Sequence, residues 1–494
     1  KFERILVSQI TSFPKSLPMF LRVMPLWLKE KLNMRGNITK QLENAFGQKA
    51  PMVSFVEHHL SHAALAYCSS GYDEADILVV DAVGEWATTS IIKAEGNKIE
   101  IIAEQRFPDS IGFLYSSATQ FLGFSVNSDE YKVMGLAPYG EPNTETKHFI
   151  KMIKDELVKI DALGTIQLNL AYFSFQYGDK MIRRKKWESL FGFKQREPYS
   201  DLTQKHKNLA FAFQFVTEYI IVRLAKGFNT SNNLCLCGGV ALNCSANGKL
   251  LKSGTYRNIY VPFAPGDCGC SLGAALAYNI LHSGKRITNI SPYLGPKFTS
   301  SEIERTIMDT GLSYEVAKSD EELCEYSARL LIKGNIIGWF QGRMELGPRA
   351  LGNRSILADA RNPRMKDLVN SRIKFREGFR PFAPSVLEEY ASTIFSCVGK
   401  SPYMMFTYDV LSDNIPAVTH VDSSARIQTV SCKDNPLYYQ LLKSFHSLTG
   451  CPVVLNTSFN VMGEPIVCSP KDAINTFLHS GLDYLVIGKF IIKK

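Results

Sequence analysis

Strand-like and helical segments alternate along this chain, and a polar, turn-rich stretch at about residues 285–315 divides the alternation into two halves. In the first half, apolar runs such as 77–81 (ILVVD) and 234–237 (LCLC) precede helical patterns. In the second half, a helical pattern over 324–333 leads into the strand-like run 335–340 (NIIGWF). Such alternation is typical of α/β domains, and 494 residues suffice for two or three of them. We therefore predict an α/β fold divided at the connector.

The composition is that of an ordinary globular protein, with 45% apolar and 21% charged residues. No run approaches the roughly 20 uninterrupted apolar residues that a bilayer helix needs. The eleven cysteines are odd in number and lack a disulfide framework spacing, which predicts a reducing, cytoplasmic location. We interpret the two Cys-x-Cys pairs, Cys235 with Cys237 and Cys268 with Cys270, as small buried residues rather than metal ligands.

Positive charge is concentrated between residues 341 and 380, where ten Lys or Arg face four acids, so this run carries +6 of the formal +9. Three glycines, Gly342, Gly347 and Gly352, let backbone approach whatever the guanidinium groups hold. Aromatic residues thread the same run and should hold it against a core, whereas a solvated helix face would lack them. The run predicts a compact site for a small, highly charged anion rather than a broad nucleic-acid surface.

A cluster of three histidines occurs at residues 58–62. On a helix, His58 and His62 stand at i and i+4 and project from one face. Asp81 closes the next strand-like run, and Asp267 lies in a turn before a helix of small residues. Two imidazoles with carboxylates suit iron, manganese or zinc, so we predict a divalent metal bound by these four residues without sulfur. Surface or capping histidines are the alternative, and His59 is predicted to be structural.

Two further segments suggest a nucleotide cleft. Gly238 and Gly239 form a double-glycine turn after a strand, with Asn243 at the start of the following helix, where backbone amides can approach phosphate or ribose. Glu130 and Lys132 flank an aromatic residue before another turn. A purely structural turn remains the alternative for the glycine pair.

Long motifs at consistent spacing resemble the carbamoyltransferase family that includes the nodulation protein NodU and the tobramycin and cephamycin carbamoyltransferases. In that family an actin-like (ASKHA) domain is fused to a YrdC-like α/β domain, which implies residues 1–290 and 291–494 here. The motifs are EHHLSHA, VVDAVGEWATTS, EYKVMGLAPYG, GGVALN, PGDCG, GWFQGRMELGPRALGNRSILADAR, KFREGFRPFAPSV, THVD and NTSFNVMGEPIV.

The resemblance implies a two-step reaction. ATP and carbamoyl phosphate, with Mg²⁺, give carbamoyl-adenylate in the YrdC-like domain, and the carbamoyl group then passes to an acceptor hydroxyl on a small natural product such as an antibiotic or toxin. The implied residues around carbamoyl phosphate and ATP are Lys374, Arg376, Arg380, Arg349, Arg426, Ser458 and Asn460. Those beside the second nucleotide are Gly238, Gly239, Asn243, Glu130 and Lys132, and the implied metal ligands are His58, His62, Asp81 and Asp267.

The acceptor and its general base stay open. The family normally opens with a strand-turn-strand segment that carries a phosphate loop and a histidine near the acceptor, and this sequence starts after it. Aminoglycoside, sugar, β-lactam, guanidine alkaloid and lipo-oligosaccharide acceptors all remain. We expect no nucleic-acid or membrane partner, and a homodimer is open. A threonylcarbamoyl-type tRNA-modification enzyme and a non-catalytic nucleotide-binding protein are the alternatives.

Overall fold

The computed structural model describes residues 2–494, except for the side chains of residues 2–5, 8, 26, 30 and 31. Its helices and strands alternate, and the predicted α/β fold class is confirmed. The strands are β1 (Glu74–Gly84), β2 (Ala87–Glu95), β3 (Lys98–Arg106), β4 (Val158–Ile160), β5 (Ile166–Leu168), β6 (Asn233–Cys237), β7 (Asn258–Tyr260), β8 (Tyr314–Val316), β9 (Ile337–Phe340), β10 (Arg354–Asp359), β11 (Ala383–Leu387), β12 (Thr407–Asp409), β13 (Ser424–Arg426), β14 (Gln428–Val430), β15 (Val453–Ser458), β16 (Tyr484–Ile487) and β17 (Phe490–Lys493).

The helices range from one turn to more than six turns. They are α1 (Phe2–Thr11), α2 (Leu17–Leu26), α3 (Met34–Phe46), α4 (His58–Ser70), α5 (Ile111–Phe121), α6 (Glu130–Leu136), α7 (Thr144–Met152), α8 (Arg184–Phe191), α9 (Gln204–Gly227), α10 (Cys244–Lys252), α11 (Cys270–Ser283), α12 (Ser300–Met308), α13 (Asp320–Ile332), α14 (Met365–Val369), α15 (Ala391–Ile394), α16 (Pro436–Thr449) and α17 (Pro470–Leu478). Helix α12 lies inside the predicted connector, because Thr299 and Glu302 form a capping box there.

The chain forms two compact units, and the main change from one to the other falls inside the connector. The first unit consists of Lys1–Ala241, Ser253–Tyr260 and Gly269–Thr288, and the second of Leu242–Lys252, Val261–Cys268 and Asn289–Lys494. Two short segments that precede the connector in sequence therefore belong to the second unit.

The first unit is built on a five-stranded sheet in the order β3-β2-β1-β6-β7. Strands β1, β2 and β3 are antiparallel neighbours, whereas β6 runs parallel to β1. Helix α4 packs on this sheet, with Tyr67 against Ile77 and Val79 in a buried core. Because β1 and β6 are parallel, the residues after Val79 and after Cys237 emerge at the same edge of the sheet. That edge positions the first candidate site.

Helix α9 packs inside the first unit. Among residues 2–494, one helix is long and apolar enough to cross a membrane, and it is α9, with 67% of its apolar window buried. Leu209, Phe213, Val216 and Ile220 are all fully buried. These side chains make α9 a core helix of this unit.

The second unit contains an eight-stranded sheet in the order β14-β11-β15-β10-β9-β16-β17-β8. Strand β15 is central and pairs antiparallel with both β10 and β11. It ends at Ser458, opposite Ser355 of β10. Helix α14 continues into a π-helical turn, Asn370–Lys374, whose last residue contacts the end of β15. That junction positions the second candidate site.

Candidate functional site

His58 and His62 project from one face of α4, as their i, i+4 spacing predicts. Their Nε2 atoms are 3.1 Å apart. The Oδ2 atom of Asp81, near the end of β1, lies 3.0 Å from His58 Nε2 and 3.5 Å from His62 Nε2. Three predicted metal ligands therefore converge on one point in the first unit.

Two glycines permit this convergence. A Cβ on Gly84, at the end of β1, would lie 2.3 Å from Cδ2 of His58, so only glycine lets β1 approach the imidazole. A Cβ on Gly273 of α11 would lie 2.0 Å from the carbonyl oxygen of Ser61 on α4. The close crossing of α11 over α4 also brings Cys270 into the site, with its Sγ 3.4 Å from His62 Nε2.

The Asp81 carboxylate is ionised in this setting. Burial raises the pKa of Asp81, but hydrogen bonds from His58 and His62 outweigh burial and hold it well below its usual range. The other oxygen, Oδ1, accepts from the backbone N–H of Ala82 at 2.7 Å. A buried anion held between two imidazoles is a suitable ligand for a cation.

The donor set fits a transition-metal ion. Ligands bonded at about 2.0–2.3 Å around one ion stand roughly 3–3.5 Å apart, which is the spacing among His58, His62 and Asp81. The ligating atoms of His58, His62 and Cys270 also lie within 4.8 Å of one another. Nitrogen and oxygen donors suit a borderline divalent metal such as iron or zinc, and the Cys270 thiol lies close to the same point.

The sequence predictions for the neighbours of this cluster have different outcomes. Asp267 begins a 3₁₀ turn, Asp267–Gly269, and belongs to the second unit, so its role as a ligand stays a prediction. His59 is buried, its Nδ1 lies 2.6 Å from Ser90 Oγ, and burial lowers its pKa to about 4, which agrees with the predicted structural role, although its buried Nε2 has no partner among the described residues. Sequence analysis missed Cys270, since the helix crossing that brings it to His62 leaves no local pattern.

The two Cys-x-Cys pairs differ. Cys235 and Cys237 are fully buried in β6, which confirms their interpretation as core residues. In the second pair, Cys268 is exposed and Cys270 borders the histidines, so the core interpretation is wrong for that pair. Among residues 2–494, all eleven cysteines are free thiols.

The double-glycine turn backs onto the same sheet edge. Gly238 has a φ of +90°, and a Cβ there would lie 2.3 Å from the carbonyl oxygen of Val80. A Cβ on Gly239 would lie 3.0 Å from Asp81 Oδ1. Strand packing alone therefore accounts for the glycine at 238, and its role in nucleotide binding stays a prediction. Asn243, in the second unit, accepts from the N–H of Ala246 at 3.0 Å.

Glu130 and Lys132 have partners close to them in sequence or space. Glu130 Oε1 accepts from Ser116 Oγ at 2.7 Å and from a backbone N–H at 2.8 Å. Lys132 Nζ lies 3.2 Å from Asp129 and 5.7 Å from the centre of the Phe124 ring. These contacts fix both side chains beside α5 and α6, and their proposed part in nucleotide binding stays a prediction.

In the second unit, Lys374 inserts into the end of β15. Its side chain is 5% exposed. Its Nζ donates to Asn460 Oδ1 at 2.7 Å, to the Asn460 carbonyl at 2.9 Å and to Ser458 Oγ at 3.3 Å. Ser458 Oγ in turn donates to Asn460 Oδ1 at 2.7 Å. The Lys-x-Arg and Ser-x-Asn motifs, more than 80 residues apart in sequence, are thus joined through the lysine.

Two arginines add positive charge beside this lysine. Burial, and then the charges of Arg376 and Arg380, lower the pKa of Lys374 well below its usual value. Arg376 Nε donates to Asn370 Oδ1 at 3.0 Å, and its guanidinium lies 4.3 Å from the centre of the Phe382 ring. Glu377 Oε2 lies 3.6 Å from Arg380 Nη1, so the three cations keep a net positive charge that suits an anionic ligand.

The backbone between the two motif residues is strained. Phe375, between Lys374 and Arg376, has a φ of +44°, which bulky side chains rarely adopt. Its N–H is held by the carbonyl oxygen of Asn370 at 2.7 Å. Strain of this kind persists where surrounding contacts over-determine it, and it concentrates at functional sites.

Burial and the charge of Arg376 lower the pKa of Lys366, which therefore lies near this site, whereas three other arginines of the basic run have separate partners. Arg354 is fully buried, with its guanidinium 3.6 Å from the centre of the Phe340 ring and hydrogen bonds to backbone carbonyls. Arg361 pairs with Asp359, and Arg372 pairs with Asp483. The predicted anion site is therefore narrower than the basic run that suggested it.

The glycine loop in this run serves the protein's own packing. A Cβ on Gly347 would lie 2.4 Å from the Phe263 carbonyl, and one on Gly352 would lie 2.2 Å from the Tyr438 ring. Packing alone therefore accounts for both glycines, and the approach of their backbone to a ligand stays a prediction. Buried Glu345, which sequence analysis missed, holds the loop by accepting from the N–H groups of Leu351 and Asn353 at 2.7 and 2.8 Å.

Arg349 and Arg426 lie on two different elements. Arg349 is half-buried in the glycine loop. Arg426 is the last residue of β13, opposite Thr407 of β12, and its buried Nε has no hydrogen-bond partner among the described residues. A buried donor of this kind suits an anionic ligand, and the roles of both arginines stay predictions.

Comparison with known proteins identifies the family. Residues 2–276 match the family described as Carbamoyltransferase N-terminus, and residues 328–494 match the one described as Carbamoyltransferase C-terminus. An uncharacterized Synechocystis sp. protein is 44% identical over all of this chain and 85% of its own length. The nodulation protein NolNO of Sinorhizobium fredii is 38% identical over the whole chain and 69% of its own length. NolO of Bradyrhizobium diazoefficiens is 36% identical over 89% of this chain and 79% of its own.

These matches cover both units and include the residues of both candidate sites. The resemblance predicted from the motifs is confirmed, and with it the general activity of a transferase that moves a carbamoyl group. The chain belongs to the carbamoyltransferase family.

Proposed function

We propose that this protein is an ATP-dependent O-carbamoyltransferase that uses carbamoyl phosphate. Carbamoyl-adenylate forms in residues 291–494, a YrdC-like domain, and the carbamoyl group passes to an acceptor hydroxyl in residues 1–290, an actin-like domain. Membership of the carbamoyltransferase family supports the group that is transferred. The α/β character of both units is compatible with the two proposed folds.

The observation that carries this proposal is the group of three cations at Lys374, Arg376 and Arg380. ATP and carbamoyl phosphate both carry several negative charges, and the pyrophosphate that leaves is also strongly negative. A buried ammonium flanked by two guanidinium groups can offset that charge without rearrangement, since all three are already gathered. Mg²⁺ would share the charge of the departing pyrophosphate.

The atoms of the products determine which bonds must break and which must form. Carbamoyl-adenylate keeps the α-phosphate of ATP and only the carbamoyl part of carbamoyl phosphate. Water therefore takes the phosphoryl group away as inorganic phosphate, and the carbamate oxygen attacks the α-phosphorus of ATP, releasing pyrophosphate. The acceptor oxygen then attacks the carbamoyl carbon, AMP leaves, and the hydroxyl proton is lost to a base.

The chain's own residues divide these tasks. Lys374 and Arg380 face the transferring anion, while Ser458 and Asn460 hold the ammonium in place. The remaining two residues of the proposed set, Arg349 and Arg426, supply forked donors for the phosphate of carbamoyl phosphate. Arg376 stays fixed by Asn370 and adds charge from the side.

In the first unit, His58, His62 and Asp81 would hold an iron- or zinc-like ion, with Asp267 as the fourth proposed ligand. Such an ion supplies positive charge to a phosphate that leaves as AMP. Gly238, Gly239, Asn243, Glu130 and Lys132 form the proposed nucleotide cleft. We further propose a cytoplasmic enzyme acting on a small hydroxylated natural product, with no nucleic-acid or membrane partner.

Pyrophosphate release from ATP, dependent on carbamoyl phosphate, tests the proposal directly. Lys374→Ala should slow release by about 10²–10³, the usual effect of removing one preorganised charge. Lys443→Ala, which removes an exposed lysine of α16 in the same unit, is the matched control and should release pyrophosphate at the unmodified rate. Equal rates in both variants would contradict the assignment of the site.

A further inference from the structure

The first unit contains an aromatic cavity of about 440 Å³. Its apolar walls include Phe13 from the α1–α2 loop, Trp86 from the β1–β2 turn, and Phe107, Leu170 and Tyr177. The volume lies in the range of small-molecule sites, which are lined by aromatic side chains and a few placed polar groups. None of the residues assigned above to the metal, nucleotide or anion sites lines this cavity.

The cavity adjoins the His58–Asp81 site along the chain. Trp86 is two residues beyond Gly84, whose backbone lies against His58. Phe107 donates its N–H to the Trp86 carbonyl at 2.8 Å. Three residues later, Ser110 Oγ donates to the carbonyl of Ala82, next to Asp81, at 2.7 Å. The cavity wall is thus linked by short chain segments and these two hydrogen bonds to the strand end that carries Asp81.

Lys15, Gln176 and Arg183 supply hydrogen-bond donors to the cavity, and the hydroxyls of Thr11 and Ser12 can donate or accept. Gln176 Nε2 is buried and has no hydrogen-bond partner among the described residues. Lys15 and Arg183 bring two positive charges, and Arg183 is fixed by a hydrogen bond from its Nε to Tyr177 Oη at 2.8 Å. The described lining contains no Asp or Glu. A cationic ligand would meet two like charges with no counter-charge, whereas hydroxyl, carbonyl or carboxylate oxygens would find donors.

We propose that this cavity binds the acceptor, and that the acceptor is an uncharged or acidic sugar whose pyranose rings pack against Trp86 and Tyr177. The apolar face of a pyranose matches an aromatic ring, while its hydroxyl oxygens reach the donors at the rim. The positive charges of Lys15 and Arg183 disfavour aminoglycosides and guanidine alkaloids. That this sugar is the acceptor rests on the proposed function, whereas the binding of a sugar in the cavity does not.

Calorimetric titration without ATP or carbamoyl phosphate tests the binding. The probes are β-1,4-linked trisaccharides of glucose and of glucosamine, titrated at a pH low enough to protonate the amines of the latter, so that they share rings and linkage but differ in charge. The glucose trisaccharide should bind, and the glucosamine trisaccharide should bind at least about tenfold more weakly. Lys15 is exposed, and Lys15→Glu should reduce or reverse the difference in affinity between the two trisaccharides. Lys49→Glu, which changes an exposed lysine outside the cavity, should leave that difference unchanged.

Trp86→Ala should weaken binding of the glucose trisaccharide about tenfold, since it removes a stacking surface. Equal affinity for both trisaccharides, or a ratio that Lys15→Glu does not move, overturns the proposal. Pyrophosphate release by the unmodified protein separates the two claims. Release without trisaccharide binding overturns the cavity assignment alone, and binding without release overturns the proposed function alone.

Discussion

The two candidate sites gather charge in opposite ways. In the second unit, the hydrogen-bond partners of Lys374 are neutral oxygens, and its charged neighbours in the pKa balance are two arginines. In the first unit, the Asp81 carboxylate is surrounded by two imidazoles that stabilise its charge. The first arrangement keeps excess positive charge even with Glu377 beside Arg380, and it therefore favours an anion. The second arrangement pairs an anion with imidazoles that a cation can share. The contrast suggests that one site attracts substrate and the other organises an ion.

The largest expected effect concerns the cluster of Lys374, Arg376 and Arg380 in the second unit. Arg380→Ala should slow pyrophosphate release by about 10²–10³ without lowering the midpoint of thermal unfolding, because one of three gathered cations is lost. The matched control is Arg364→Ala, an exposed arginine of the same basic run that contacts neither motif. An equal loss in both variants would mean that the total charge of the run, and not the cluster, sets the rate.

The second prediction concerns the paired charge. His62→Ala should reduce metal affinity by at least about 10–100-fold, the cost usually seen even for outer-sphere partners, and should abolish carbamoylation of the acceptor. Pyrophosphate release should persist, because its residues lie in the other unit. Elemental analysis and the two half-reactions measure this, and parallel loss of both half-reactions would remove the distinction between the sites.

Cys270→Ser sharpens the same comparison. The predicted ligand set lacks sulfur, so this variant should keep its metal, although Cys270 Sγ lies 3.4 Å from His62 Nε2. Metal content measured beside that of His62→Ala decides the matter. A loss as large as in the histidine variant would make Cys270 a ligand.

A smaller effect is expected at the sheet edge behind Asp81. Gly238→Ala should destabilise the first unit by about 1–3 kcal/mol, since its φ is +90° and the added Cβ meets the Val80 carbonyl. Gly284→Ala has a φ of +63° but open space around the Cβ, so it reports the backbone cost alone. Chemical denaturation should therefore rank Gly238→Ala as the more destabilising change. Equal losses would show that the contact with β1 is easily relieved.

The smallest expected effect is a proton uptake of less than one per chain. The folded pKa of Lys374 lies below its unfolded value, so as pH rises the folded protein releases this proton before the unfolded chain does. A bound anion favours the ammonium and raises the pKa again. Carbamoyl phosphate binding should therefore take up protons at pH values between the lowered pKa and about 10.5. Calorimetry in buffers of different ionisation enthalpy measures the uptake, which Lys374→Met should reduce.

The sequence spacing predicted those features of the candidate sites that depend on local helix and strand geometry. The i, i+4 pair of His58 and His62, and the strands around Asp81, follow from helix and strand periodicity. Cys270 enters through the crossing of two helices more than 200 residues apart in sequence, which no local pattern encodes. The role of Glu345 was not predicted, because the folded loop brings its N–H groups to a buried carboxylate and no local sequence pattern marks that contact. The junction of Lys374 with Ser458 and Asn460 was expected only through family resemblance.

The gathered cations also link substrate supply to the folding equilibrium. Lys374, Arg376 and Arg380 repel one another in the folded second unit, and they separate when the chain unfolds. An anion that binds only the folded state therefore adds RT ln(1 + [L]/Kd) to the free energy of unfolding, about 2.7 kcal/mol at a hundred times Kd. Under the proposed function carbamoyl phosphate is such an anion, so its binding would lower the unfolded fraction and, with it, the share of the protein exposed to degradation.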